Sequence, residues 1–160
     1  MKRAALLLLL ACASAHAHSF PGSRDVVAQA EDDAVAILVT YRPSTQTFVP
    51  PQPDPERAKL ALARRALAVL DVRLDGAPLQ GKLELKLSED PPGSGRPFLV
   101  ALLTAPIPAG AHRLTIDVEG DREPTATRWL DRSKGRVSSG GPRRAGESFQ
   151  DRGQLVVEWR

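Results

Sequence analysis

The sequence predicts a mainly β, antiparallel two-sheet sandwich of about seven strands with one inserted α-helix at about residues 54–70. Two observations carry the β reading. Short stretches alternate apolar and polar side chains, as where Leu83, Leu85 and Leu87 sit between Lys82, Glu84 and Lys86. Turn residues separate these stretches, drawn from 14 Pro and 12 Gly in 160 residues. A third observation places the helix. One Ala-, Leu- and Arg-rich run carries no breaker and shows a helical period.

The first segment reads as an address rather than a fold. Met1-Lys2-Arg3 is a positive start and Ala4 to Ala11 an unbroken apolar run. Small residues and two histidines follow, from Cys12 to His18. This is the charged region, apolar core and A-x-A ending of a secretory signal peptide. The run is too short for a transmembrane helix, which needs about 20 apolar residues. Cleavage after Ala17 is favoured because it leaves the longer apolar core. That assigns 1–17 to the signal peptide and 18–160 to a single domain, with His18 first. Cleavage after Ala15 is the alternative and leaves His16 first. Leu9-Leu10-Ala11-Cys12 also looks like a bacterial lipobox, with Cys12 as the acylated residue. Its early position and Leu10 make it the less favoured reading. No later stretch is long and apolar enough to cross a bilayer, so an exported chain in the periplasm or outside the cell is expected.

Residues 24–42 read as a hairpin. Val26, Val27, Ala28 and Ala30 form one extended piece and Glu31-Asp32-Asp33 the turn. Ala34 to Tyr41 form a strand rich in β-formers. Arg42-Pro43 ends that strand, since Pro donates nothing to a ladder. Five prolines then mark 43–55 as an extended loop. Asp54 is a good N-cap for the helix, with Pro55 at its first position. Leu60, Ala63, Leu67 and Leu70 make the expected buried stripe. Val72 and Leu74 lead into the turn dipeptide Asp75-Gly76. Lys82 to Leu87 is a strand wet on one face, and 88–96 is a loop. Pro97 to Thr104 is nearly all apolar and is expected to be a central strand. After the Pro106–Gly110 turn, His112 to Glu119 alternates again. Ala126 to Leu130 is a short strand around Trp129, 131–153 a mobile basic loop, and Gln154 to Trp159 the last strand.

Short strands with frequent turns and one helix fit an antiparallel sandwich of immunoglobulin-like type. Residues Pro106 to Leu114 resemble the P-A-G-x-H-x-L turn and strand of many exported immunoglobulin-like domains. The Ala-His-Ala-His junction, the hairpin, the Leu-rich helix and Asp71 to Leu79 (DVRLDGAPL) together resemble the exported N-terminal domains of HupE/UreJ-type membrane proteins. The resemblance covers roughly 15–119 as an order of elements. It implies a fold and, faintly, a metal-transport setting.

Composition excludes several function classes. One Cys leaves no internal disulfide and no Cys-based zinc site. Aromatics at 4% are too sparse for a base-stacking surface, so no nucleic-acid partner is expected. The sequence carries no H-E-x-x-H, P-loop or G-x-G-x-x-G. Gly146 to Gln150 lacks the last Gly of a nucleophile elbow. The expectation is therefore a non-catalytic exported module that binds or scaffolds at the cell envelope, with no cofactor. Its partner would be an unknown envelope protein or a membrane surface.

Two constellations stand out. An N-terminal His18, with its amine and ring, and His112 would give the T-shaped N3 set of a copper "histidine brace". Such sets occur in sandwich proteins resembling the CopC family and in copper oxygenases. If cleavage follows Ala15, His16-Ala17-His18 instead suits square-planar Cu(II) through amine, amides and imidazole. A periplasmic copper-binding protein is thus the alternative function, and a copper oxidase on the same ligands a third. The basic stretch is the second constellation. Arg128, Arg132, Lys134, Arg136, Arg143 and Arg144 meet only Asp131 across 128–144. Arg132, Lys134, Arg136, Arg143 and Arg144 are candidates for contact with an anion or partner.

Overall fold

The computed structural model describes residues 23–31, 33–44, 54–90, 92–94, 96–119, 123–130, 135–139 and 153–160, with backbone only for 135–139 and 153. The elements are β1 (Ser23–Ala30), β2 (Ala34–Arg42), α1 (Pro55–Leu67), β3 (Leu70–Leu74), β4 (Ala77–Pro78) and β5 (Lys82–Glu89). They continue with β6 (Pro97–Pro106), β7 (His112–Val118), β8 (Thr125–Trp129), β9 (Gly135–Ser139) and β10 (Gly153–Trp159). Two five-stranded sheets result, ordered β5-β6-β2-β1-β8 and β4-β3-β7-β10-β9. The sandwich expected from the sequence is therefore present, with ten described strands rather than about seven.

Alternation builds the core. In β1 and β2, Val26, Ala28, Val35, Ile37 and Val39 point to one side. They meet Leu114 and Ile116 of β7, Leu155 and Val157 of β10, and the two tryptophans. Each large apolar side chain removed from water there contributes about 1.5–3 kcal/mol. The apolar run in β6 has its expected cause, since β6 lies between β5 and β2. Its other face joins Val100 to Val27 and Leu38 in a small second cluster on the outside of the sheet.

Three details depart from the sequence reading. Among the described residues all pairings are antiparallel except β1 with β8, which run parallel with Arg24 opposite Thr125. The chain reaches β8 from β7 of the other sheet, so the pair is joined by a crossover, which permits parallel pairing. Second, the stretch read as a loop over 131–153 contains β9, which pairs with β10. Third, α1 buries Leu62, Ala63 and Ala66, whereas Leu60 is 50% exposed. The small Ala63 and Ala66 sit against Tyr41 and Leu99, with Leu85 and Leu87 alongside. Burying the alanines turns Leu60 outward. The helix otherwise follows its caps. The Asp54 carboxylate accepts the Glu56 and Arg57 amides, and Ala68 closes the C-terminus by donating to Arg64 O. It ends before Leu70 because Leu70 opens β3. Among the described residues no helix is long and apolar enough to cross a membrane.

Candidate functional site

The described candidate, His112, stands at the first position of β7 and is buried. Three connections meet at its ring. The first is the β3–β4 turn. Asp75 and Gly76 both have positive φ, 52° and 83°, as a two-residue hairpin turn of type I′ requires. That turn lays the Asp75 carboxylate against β7, where Oδ1 accepts the Arg113 amide at 2.8 Å. Oδ2 lies 2.8 Å from His112 Nδ1. The second connection is the β6–β7 turn, whose Pro108 carbonyl lies 2.7 Å from His112 Nε2. The third is the end of β10. Trp159 lies 5.6 Å from the His112 ring, centroid to centroid, and 5.3 Å from Trp129 on the opposite sheet.

These partners favour one protonation state. An ionised carboxylate and a backbone carbonyl are acceptors only. Both ring nitrogens must therefore carry hydrogen for both short contacts to be hydrogen bonds. The arrangement therefore favours the imidazolium over the neutral ring. The hydrogen bond to Asp75 raises its pKa above 6.5, helped by the Pro108 carbonyl and opposed by burial. The same bond, with the Arg113 amide, holds the Asp75 carboxyl below 3.8. Around the pair lies a shallow depression bordered by Glu158 and Arg160, with Arg113 Nη1 3.8 Å from Glu158 Oε1. A general base or a copper ligand needs a bare ring nitrogen. Here both are turned to acceptors. To complete a brace, His112 would have to release Asp75 or Pro108.

His16, His18, Cys12, Arg132, Lys134, Arg143 and Arg144 are outside the described residues, as is the signal segment itself. Arg136 is on β9, in register with Glu158.

A second polar cluster was not anticipated from the sequence. Arg24 is 0% exposed and Glu123 5% exposed, at the end of the sandwich that α1 closes. The Tyr41 hydroxyl donates to Glu123 Oε2 at 2.5 Å, and the Ser44 amide to Oε1 at 3.1 Å. Arg24 donates to Thr125 Oγ1 at 2.8 Å, lies 4.0 Å from Glu123 and stacks 5.1 Å above the Tyr41 ring. The Arg65 guanidinium approaches Glu123 to 3.8 Å. Burial, then the Glu123 carboxylate, push the Tyr41 phenol far above its ordinary range, so it stays a donor. The cluster ties β1, β2, α1 and the entry to β8 together. Alternation held the signal for two of its members. Arg24 shares the inward parity of Val26 and Ala28, and Tyr41 that of Ile37 and Val39. Glu123 gave none, since it follows a stretch without periodicity.

Compared with protein-family models, curated proteins and solved structures, the chain matches none.

Proposed function

We propose that the chain is an exported, non-catalytic β-sandwich that works in the cell envelope as a binding or scaffolding module. The observation that carries this reading is the setting of His112. Its ring nitrogens face Asp75 and Pro108, so the side chain joins two turns. The one described histidine thus acts as a structural link. The second buried polar cluster, around Glu123, likewise links elements to one another. Function then resides on the outer surface, and the cationic stretch 128–144 is the contact region that the sequence offers to anionic envelope material.

The test begins with the full chain expressed with its leader. Fractionation and intact-mass measurement should find it exported with a free amine at His18. The processed protein should float with vesicles containing phosphatidylglycerol at low salt and detach as salt rises. Replacing Arg143 and Arg144 by Ala should remove that binding. Retention in the cytosol, or no binding to anionic vesicles at low salt, would overturn the proposal.

A further inference from the structure

We infer that β5 is a self-complementary edge through which two copies of this chain pair into one continuous sheet. Among the described residues β5 is hydrogen-bonded only to β6, and it ends its sheet. Six of its eight residues are exposed. Such an edge presents unpaired backbone groups, and proteins often blunt it with charged side chains. On this edge the charges alternate in sign, so a second copy can match them. Its outward face reads Lys82, Glu84, Lys86, Ser88, and the face turned to the core reads Leu83, Leu85, Leu87.

A second copy of β5 placed antiparallel about a two-fold axis at Leu85 satisfies both faces. Leu83 then stands opposite Leu87 of the copy, and Leu85 opposite its own counterpart. Glu84 stands opposite Lys86 of the copy, twice by symmetry, and Lys82 opposite Ser88. Opposite charges directly across an antiparallel pair are favourable and like charges are not. Neighbouring registers lose this match. A shift of two residues one way sets Glu84 against Glu84 and Lys82 against Lys86. The other way it sets Lys86 against Lys86. A shift of one residue sets leucines against charges. The pairing would also cover Leu83, which is 44% exposed in the single chain. The contact is isologous, so it closes as a dimer and does not propagate. An edge contact alone is small beside the ~1,000 Å² of a stable interface, so the dimer should be weak and reversible.

Sedimentation velocity of the processed chain tests this, from about 10 μM to about 1 mM. The wild type should show a concentration-dependent monomer–dimer equilibrium. Glu84→Lys and Lys86→Glu should each weaken it by about tenfold, because two attractive pairs become two repulsive ones. Both positions are exposed, so thermal melts should match the wild type. Mixing the two variants should restore dimerisation as a heterodimer, since each lysine then faces a glutamate. A wild type that stays monomeric throughout would overturn the inference. So would single reversals that dimerise like the wild type, or a mixture that associates no better than its components.

Discussion

At His112 a single side chain makes two short polar contacts and an aromatic contact. The stability it contributes depends on pH with a definite sign. Its folded pKa is raised, so the contribution is complete below 6.5 and is lost as pH rises through the folded value. The folded pKa of Asp75 is lowered, so its contribution is complete above 3.8 and is lost as pH falls through that lower value. Both are complete between 3.8 and 6.5. The thermal midpoint should therefore fall as pH rises above 6.5, and His112→Ala should flatten that fall. At pH 6 the same substitution should cost about 1.5–3 kcal/mol in denaturant unfolding, the range for hydrogen bonds to charged groups. Glu123 makes a sharper case because it is buried. Glu123→Ala removes the carboxylate beside the buried Arg24 guanidinium and should cost about 3–5 kcal/mol. Tyr41→Phe removes one donor to the same carboxylate and should cost about 1–3 kcal/mol.

The helix shows how sequence and packing divide the work among elements. Its start was legible because Asp54-Pro55 is local chemistry, and the observed cap uses that carboxylate. The buried face was only half legible. A helical period identifies a stripe, but the choice between adjacent stripes depends on what the partner sheet offers. Here Tyr41 and Leu99 accept the flat Ala63–Ala66 side. The consequence is measurable. Leu62→Ala should cost about 2–5 kcal/mol, whereas Leu60→Ala should cost under about 1 kcal/mol in the same assay. Equal costs would contradict the packing described. The strands β2, β5, β6 and β7 were legible for the opposite reason. Their alternation or continuous apolarity reflects which faces are covered, and burial is what the pattern encodes. The parallel β1–β8 pair left no such mark, because its partners are about a hundred residues apart and alternation does not report strand direction. The His112–Asp75 contact was invisible for a similar reason. Each residue was legible in its own turn, but their meeting depends on β3 lying beside β7.

As a whole molecule the protein is a sandwich with a charged clamp at each of two places where elements converge. Glu123 gathers β1, β2 and α1, and His112 gathers the β3–β4 turn, the β6–β7 turn and the end of β10. The export proposed above would remove the first 17 residues, and Lys2, Arg3 and Cys12 with them. The net charge would then fall from +3 to +1 and no cysteine would remain. A chain so processed would hold itself together without a disulfide, through its core and these two clamps. Both ring nitrogens of His112 face acceptors, which favours a doubly protonated ring with no nitrogen left for a metal. Long-range nitrogen–proton correlation spectra of the ring, recorded at about pH 6 on the processed protein with and without one equivalent of Cu(II), test it most directly. The spectra should show two protonated ring nitrogens and His112 signals unchanged by copper. A neutral ring with a bare nitrogen, or selective loss of the His112 signals on adding copper, would contradict it.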